Sequence, residues 1–510
     1  MKQPKVAVIG SGFGGLALAI RLQAAGYETT IFEKRDQPGG RAYVFRDNGF
    51  TFDAGPTVIT APHCLEELFQ VANRSMNNYV KLVPVSPFYR LYWEDGFKFD
   101  YSNDNAELKR QILAKSPHDW DGYLKFMAYT KEVFREGYIK LAHVPFSNLW
   151  SMVKVAPQLA QLSAFRPVYT MVSKFIQDEQ LRQAFSFHSL LVGGNPFSSS
   201  SIYTLIHYLE RSWGVSFPQG GTGALVNGLV KLFEDIGGKV YLNSEVDSIL
   251  TKNKKVMGLN LKSGSTLPFD VVVSNADVGH TYKTLLRSEK TLAATRKRVL
   301  SQRFSMSLFL IYFGTNKKYS HLKHHNVIFG ARYKELLADI FSRGVLADDF
   351  SLYLHAPCRT DNSLAPEGCD TFYVLSPVPH LGHDAIDWQS TAPIYADKIL
   401  NYLESRYMPD LRKHIVTKRY FTPLNFRDDL NSHLGSAFSL EPILTQSAYF
   451  RTQNRDKKIQ GLYFVGAGTH PGAGVPGVIN SAKATSSMIL NDYSGPTVPA
   501  GHFPEWESLA

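Results

Sequence analysis

The sequence predicts an α/β protein with a Rossmann-like nucleotide-binding domain, a second domain that contains a mixed sheet, and a helical region. Two similar stretches near the two ends of the chain indicate the first domain. Residues 5–33 give an apolar strand, a glycine-rich turn, a helix and a second strand. Residues 462–488 give another strand, glycine-rich loop and helix. Apolar runs at residues 307–312, 350–354 and 372–375 predict strands of the second domain.

The turn of the first stretch carries glycines at the G-x-G-x-x-G spacing that is typical of dinucleotide binding. Gly10 permits the sharp turn, Gly12 leaves room for a pyrophosphate, and Gly15 lets the helix pack closely on the strand. Glu33 follows the second strand, where an acid can accept hydrogen bonds from a ribose with a free 2′-hydroxyl. The binding residues predicted from this stretch are Gly10, Gly12, Phe13, Gly14, Gly15, Glu33 and Lys34.

Two loops that follow are expected near the same ligand. Gly40 and Arg41 belong to a flexible loop that brings a cation close to the first turn, although a solvated turn would look the same. A short strand at residues 50–53 then leads to the turn Gly55, Pro56 and Thr57. Such a turn can present main-chain polar atoms to a flat ligand.

Length, charge and cysteine content exclude several classes of protein. The chain has 510 residues, enough for two or three domains, and a formal net charge of +10. It contains no run of five basic residues and no nucleic-acid-binding module, so we expect no nucleic-acid partner. Its three cysteines form no C-x-x-C pair, which favours a reducing cytosol over a disulfide framework. We expect neither a signal peptide nor a transmembrane helix, because the first strand starts at once and no long apolar run occurs.

Candidate catalytic and metal-ligating side chains are few. His324, His325 and His355 do not have zinc-ligand spacing with Cys358, so we predict no metal. No Ser-His-Asp or paired-carboxylate arrangement can be assigned from spacing, and the catalytic residues are left unassigned. The aromatic residues at 185–215 predict either plain core or the wall of a substrate channel.

Six further motifs carry a resemblance to a known family. They are GGRAY, FDAGPTVI, NPFSSSSIYTLIHYLE, FPQGGTGALVNGLVKL, VVSNADV and VGAGTHPGAGVPGVI. With the first turn they resemble the bacterial and fungal carotenoid (phytoene) desaturases, within the FAD-containing amine oxidase-like superfamily. The resemblance implies FAD as the cofactor and a GR2-type FAD-binding domain. The further FAD-binding residues that it implies are Val246, Asn275, Gly466, Gly468, Gly477 and Val478.

The implied reaction is desaturation of phytoene toward lycopene, by hydride transfer to flavin followed by loss of a proton. Phytoene and partly desaturated carotenes carry no charged group, so an apolar tunnel would have to bind them. The chain has only one dinucleotide fingerprint, so we expect quinone or oxygen, and neither NAD nor NADP, as the electron acceptor. The alternatives are an amine or porphyrinogen oxidase, and a non-enzymatic prenyl-binding escort protein on the same fold.

The resemblance also divides the chain into segments. Residues 1–85, 216–285 and 441–492 are assigned to the FAD-binding domain, residues 86–215 to a substrate and helical membrane-associated region, and residues 286–440 to the substrate domain. Residues 493–510, rich in proline and glycine, are expected to form a disordered tail.

The stretch 137–177, which contains no acidic residue, is the candidate membrane-contacting surface. It combines basic with aromatic and aliphatic side chains, among them Trp150, Lys154, Phe165 and Arg166. Pro145, Pro157 and Pro167 are expected to divide it into short helices. The alternative is a set of core helices. Because the implied substrate is insoluble in water, we expect a peripheral protein on the cytoplasmic side of the membrane, with the lipid surface as a partner.

Overall fold

The computed structural model of the protein describes residues 3–140, 149–383 and 386–493, without the side chains of residues 149–154. Three of the sequence predictions therefore lie outside the described residues. They are the disordered tail, of which only Tyr493 is described, the helix boundary at Pro145, and the placement of the Trp150 and Lys154 side chains.

The described residues form nineteen β-strands and sixteen α-helices. The strands are β1 (Lys5–Ile9), β2 (Glu28–Phe32), β3 (Val44–Asp47), β4 (Phe50–Asp53), β5 (Leu82–Val85), β6 (Tyr89–Tyr92), β7 (Lys98–Tyr101), β8 (Val215–Pro218), β9 (Lys239–Tyr241), β10 (Val246–Lys252), β11 (Lys255–Leu261), β12 (Thr266–Pro268), β13 (Val271–Ser274), β14 (Ser307–Thr315), β15 (His325–Ile328), β16 (Leu352–His355), β17 (Asp370–Val378), β18 (Ile415–Phe421) and β19 (Leu462–Phe464). The helices are α1 (Phe13–Ala24), α2 (Pro62–Val71), α3 (Asn105–Lys115), α4 (Asp119–Phe134), α5 (Leu149–Gln161), α6 (Val168–Val172), α7 (Glu179–Ser186), α8 (Leu205–Trp213), α9 (Thr222–Asp235), α10 (Val278–His280), α11 (Ala293–Leu300), α12 (Tyr333–Ala338), α13 (Trp388–Arg406), α14 (Leu411–His414), α15 (Pro423–Asp428) and α16 (Val475–Tyr493). The predicted fold class, mixed α/β, is confirmed.

The first sheet is parallel and has the strand order β19-β13-β1-β2-β9. Its strands come from three separate parts of the chain. Apolar side chains of α1, α9 and α16 pack together with those of β1 and β13 in one core. The strands are buried on both faces, as parallel strands usually are. The glycine-rich turn between β1 and α1 lies at the carboxyl edge of this sheet, where nucleotide ligands bind in such folds.

The second sheet is mixed and has the strand order β18-β14-β17-β16-β15-β6-β7. Its pairs are antiparallel except for β15 with β6. Side chains of β14 alternate between two environments, as expected for a strand with two covered faces. Phe309 and Ile311 pack in a core with α13, whereas Leu308 and Leu310 belong to the core on the opposite face. That opposite face forms one wall of the cavity described below.

The helical region between the sheets corrects one detail of the sequence analysis. Pro157 lies inside α5 and does not separate two helices, whereas Pro167 directly precedes α6 as predicted. Pro157 is exposed, at a position where water can replace the hydrogen bond that its missing N–H leaves unmade. Among the described residues, no helix is both long and apolar enough to cross a bilayer.

Candidate active site

A cavity of about 570 Å³ is lined by residues of both sheets, of α8 and of the loop after β19. Most of the predicted FAD-binding residues line it: Gly10, Gly12, Phe13, Gly14, Glu33, Lys34, Gly40, Arg41, Gly55, Pro56, Thr57, Val246, Asn275, Gly466, Gly477 and Val478. Gly15 and Gly468 are not among its lining residues. Residues far apart in the chain are thus brought together around one space.

Gly15 and Gly468 serve packing. A Cβ atom on Gly15 would clash with the carbonyl oxygen of Gly10, and one on Gly468 would lie 2.6 Å from Cγ1 of Val278. At Gly12 the protein itself leaves more space, because the nearest atom to an added Cβ is Nδ2 of Asn275 at 3.1 Å. The absence of a side chain at Gly12 therefore keeps space open in the cavity, whereas at Gly15 and Gly468 it is needed for packing.

Glu33 lies at the cavity wall and is already hydrogen-bonded within the chain. Its Oε2 accepts bonds from the amide and hydroxyl of Ser11, at 2.9 and 2.7 Å, and its Oε1 accepts a bond from the amide of Arg35 at 3.0 Å. A carboxylate oxygen can accept more than one hydrogen bond, so capacity for a ribose remains. The ribose contact stays a prediction.

We expect Glu33→Ala to weaken FAD binding by about 1.5–3 kcal/mol, the scale of a hydrogen bond to a charged group. Titration of the apo-protein with FAD measures this. Ser11→Ala is the matched control, because it removes the hydroxyl hydrogen bond to Glu33 and leaves the carboxylate and its bond from the Ser11 amide in place. If Glu33→Ala binds FAD like the parent, the ribose contact lies elsewhere.

Lys34 and Arg41 tie the phosphate side of the cavity to the loop after α15. Nζ of Lys34 donates to the carbonyl of Asp428 at 2.8 Å and to Asn431 at 3.0 Å. Nε of Arg41 donates to the carbonyl of Ala437 at 2.6 Å, and its Nη2 to the hydroxyl of Ser432 at 2.7 Å. Both cations thus have a structural function as well as a place at the cavity wall.

Asp53 has a function that the sequence analysis missed. Its carboxylate accepts hydrogen bonds from the amides of Thr222 and Gly223, at 2.9 and 3.2 Å, at the start of α9. Burial raises the pKa of Asp53 to about 6. The residue joins the FDAGPTVI motif to the GGTG turn, a contact between residues almost 170 positions apart.

A hydroxyl and imidazole chain starts at Thr57, and it was not predicted either. Oγ1 of Thr57 lies 2.7 Å from the hydroxyl of Tyr373 and 3.1 Å from that of Tyr353. The Tyr353 hydroxyl lies 2.6 Å from Nδ1 of His325. We call these four residues the Thr57 chain. It gives the cavity wall a polar strip beside the predicted flavin-contacting turn.

Glu210, on α8, forms a second polar group at the cavity, together with Tyr89 and His188. The Tyr89 hydroxyl donates to Oε1 of Glu210 at 2.6 Å, and Nε2 of His188 lies 3.1 Å from Oε2. The NPFSSSSIYTLIHYLE motif contains this glutamate. The sequence alone does not distinguish this glutamate from a surface residue, because it does not reveal burial against an apolar cavity.

His324, His325 and His355 lie together, although their spacing in the sequence did not suggest a site. One ring nitrogen of each lies within 4.8 Å of the others. The Nε2 atoms of His324 and His355 are 3.0 Å apart, and Nδ1 of His324 lies 2.6 Å from the hydroxyl of Thr360. Burial lowers the pKa of all three, so they are neutral. The prediction of no metal stays a prediction.

Arg451 organises the loop after β19 and was also missed. Its guanidinium is only 1% exposed and donates to the carbonyls of Leu440, Gln446, Ala467 and Thr469, at 3.3, 3.4, 2.6 and 3.0 Å. Arginine suits this position because its planar fork offers five donors in fixed directions. The loop that carries Gly466 is held in place by these bonds.

A large part of the remaining cavity lining is apolar. It includes Phe187, Leu190, Leu191, Ile202, Leu205, Ile206, Leu209, Met306, Leu308, Leu310, Val327, Phe329, Leu352, Leu375, Phe421, Phe426, Phe438 and Leu444. These side chains come from the second sheet, α8 and the segments beside them. The cavity therefore combines a nucleotide-binding turn with a wall suited to a hydrocarbon.

A family model described as flavin containing amine oxidoreductase matches residues 13–490. The chain belongs to the flavin containing amine oxidoreductase family. Two similar members are named phytoene desaturase (lycopene-forming). The protein from Pseudescherichia vulneris is 58% identical over 96% of this chain and 99% of its own length. The protein from Pantoea ananas is 58% identical over 95% and 99%, respectively.

Solved structures are also similar to this chain. An oxidoreductase from Methanosarcina mazei has a TM-score of 0.63 at 17% identity and covers 95% of this chain and 100% of its own. At this identity the likeness supports the fold alone. FAD, expected from the sequence, is the cofactor, and the open space at Gly12 fits its pyrophosphate.

Proposed function

We propose that the protein is an FAD-dependent phytoene desaturase that forms lycopene. The observation that carries the proposal is the single cavity in which the glycine turn opens onto a wall of aliphatic and aromatic side chains. The relatives that are 58% identical over nearly the full length and bear this name support it. A hydrocarbon substrate can be held only by shape and apolar contact, which is what this wall offers.

Some residues of the chain would bind the cofactor, and others would exclude water from the reaction. The Gly10–Gly15 turn and the start of α1 would hold the pyrophosphate, Glu33 the adenosine ribose, and the Gly55–Thr57 turn the flavin ring. When bound, FAD supplies the acceptor for a hydride from an allylic carbon. The apolar wall then excludes water, which would otherwise add to the carbon cation left behind.

Purified FAD-loaded protein, phytoene in liposomes and a quinone test the proposed reaction. We expect phytoene to be consumed and conjugated carotenes to accumulate up to lycopene, identified by chromatography and absorption. Putrescine serves as a polar comparison substrate. Reduction of the bound flavin by putrescine and not by phytoene would contradict the proposal in favour of an amine oxidase.

We further propose that quinone or oxygen reoxidises the flavin and that the protein works as a peripheral protein on the cytoplasmic side of a membrane. The part of the membrane stretch that the structure describes supports a docking surface there. Phe165 is 61% exposed, and the guanidinium of Arg166 lies 5.8 Å from its ring. Leu159 of α5, in the same stretch, lines the cavity. A surface at this point would connect lipid with the apolar wall.

We expect Phe165→Ser combined with Arg166→Glu to reduce both the binding of the protein to anionic liposomes and its turnover of phytoene. Phe165→Ser removes apolar area that would be buried in the lipid. Arg166→Glu removes about 1 kcal/mol of attraction between the basic residue and the anionic lipid surface. Sedimentation with liposomes measures binding, and flavin content checks folding. Ile394→Ser is the control, since Ile394 on α13 is equally exposed at 61%. Unchanged binding of the double variant would place the docking surface elsewhere.

A further inference from the structure

Glu210 differs from the other acidic side chains of the cavity. Five such side chains line it, and four are close to predicted FAD-binding residues: Glu33 itself, Glu245 next to Val246, Asp277 near Asn275, and Asp429 in the loop that bonds to Lys34. Glu210 is the fifth. The other side chains that α8 contributes to the cavity are Leu205, Ile206 and Leu209, so this carboxyl lies on an apolar helix face.

Glu210 is 0% exposed, and among the described residues no lysine or arginine forms an ion pair with its carboxyl; the neighbouring Arg211 bonds to Ser102 and Asn105 instead. Its two partners are the Tyr89 hydroxyl and the His188 ring. Burial lowers the pKa of His188 to about 3, so this histidine is neutral. A buried carboxylate without a cation is unfavourable for folding, and an uncharged substrate does not need one for binding.

Neighbouring side chains lead from Glu210 to the predicted flavin-contacting turn, with one ring contact between two hydrogen-bonded groups. The Tyr89 ring, whose hydroxyl holds Glu210, lies 5.8 Å from the ring of His325. His325 belongs to the Thr57 chain, which continues through Tyr353 to Thr57. Glu210 therefore belongs to the same side of the cavity as the turn beside which hydride transfer would occur.

We propose that Glu210 is a catalytic residue, the base that takes the proton from the hydrocarbon cation; this rests on the proposed desaturase function. In the first step a C–H bond of the substrate breaks and its hydrogen leaves with both electrons to oxidised FAD. In the second step the neighbouring C–H bond breaks and its electron pair forms the new C=C bond. The proton is transferred to an oxygen of Glu210, so atoms and electrons balance. Before the second step the negative carboxylate also stabilises the positive carbon chain electrostatically.

The ionisation of Glu210 agrees with this function. Burial raises the pKa of Glu210 to about 7, so the group is largely ionised at pH 8 and protonated at pH 6. The titratable groups that face it are Tyr89, Tyr101, His188, His207 and, beside it on α8, Arg211. The histidine pKa values are lowered and the tyrosine pKa values are raised by burial, so none of these groups titrates near pH 7. Activity should therefore increase with pH through about 7.

The test compares FAD-loaded parent, Glu210→Gln and Glu441→Gln with phytoene liposomes and a quinone. Glutamine keeps the shape and can still bond to Tyr89 and His188, but it cannot take a proton. We expect kcat of Glu210→Gln to fall at least about 100-fold, with KM and flavin content within about threefold of the parent. Glu441 is the matched control: it is buried, bonds to Ser198 and Arg303, and does not line the cavity. Its variant should keep kcat.

An infrared pH titration of the FAD-loaded protein gives a readout that does not depend on turnover. The parent should have a carboxylic acid C=O band that titrates near pH 7, and Glu210→Gln should lack it. A kcat of Glu210→Gln within threefold of the parent overturns the proposal, as does loss of kcat in Tyr353→Phe alone, which would assign the proton to the Thr57 chain. If Glu210→Gln fails to hold FAD, the pH dependence of the parent protein is the test. A parent kcat that is independent of pH between about 5.5 and 8.5 overturns the proposal. A parent that binds FAD but does not convert phytoene overturns the proposed function and this inference with it.

Discussion

We expect Gly12→Val to abolish FAD binding, with a loss of affinity of at least about 100-fold, because its methyl groups would occupy the space of the pyrophosphate. A Cβ atom at this position would lie 3.1 Å from Nδ2 of Asn275, a tight contact that a small shift of this side chain would relieve. Gly12 is also the cap residue before α1, where valine is disfavoured by about 1 kcal/mol. That cost is small, so the variant should fold without its cofactor.

Flavin absorbance per protein and circular dichroism together measure this result. Gly12→Ala should give an intermediate affinity, because it adds one methyl group. Gly15→Ala is the informative contrast, since its Cβ atom would clash with the Gly10 carbonyl and so disturb the turn itself. We expect Gly15→Ala to lose both stability and flavin, whereas Gly12→Val loses flavin alone. Stoichiometric FAD in folded Gly12→Val would contradict the assignment of this turn as the pyrophosphate-binding site.

We expect Arg451→Met to lower the free energy of unfolding by about 3–5 kcal/mol, the scale for leaving several buried carbonyls without a donor. Four main-chain carbonyls lose a donor at once, and methionine fills the volume without replacing any bond. The loop that carries Gly466 and Ala467 lines the cavity, so the variant should also bind FAD more weakly.

Chemical denaturation of the apo-protein measures the change at Arg451. Arg455→Met, four residues further along, is the matched control. Arg455 pairs with Asp492 at 2.6 Å, but both side chains are partly exposed, so its loss should cost at most about 1 kcal/mol. Equal destabilisation by the two variants would mean that the buried carbonyl contacts contribute little.

The parts of the fold that the sequence predicted well are those set by neighbouring residues. The strand Glu28–Phe32, the glycine turn and the start of α16 follow from apolar runs, glycine spacing and a proline at the first turn of a helix. Pro157 was misjudged for the opposite reason. Its tolerance inside α5 depends on where the ring points, which the sequence does not record.

The cavity residues that were missed owe their function to distant partners. Tyr353 contacts Thr57 across 296 positions, and Glu210 meets Tyr89 across 121. Neither pair has a periodicity or a spacing that one sequence can reveal. The predicted FAD-binding glycines, by contrast, belong to local turns that consecutive residues of the sequence predict. The resemblance to known desaturases supplied the ligand, but it did not supply these pairs.

The strand order of the first sheet also sets an order of events during synthesis. β1 and β2 leave the ribosome first, yet β13 and β19 complete one side of the sheet, and β19 is more than 400 residues further along. The edge of β1 is unpaired until β13 has been made, and the edge of β13 is then exposed to wrong partners until β19 follows. α16, which packs on α1 and supplies cavity-lining residues, emerges later still. The nascent chain must therefore be protected from aggregation, and FAD is enclosed only after residues 462–493 have been made.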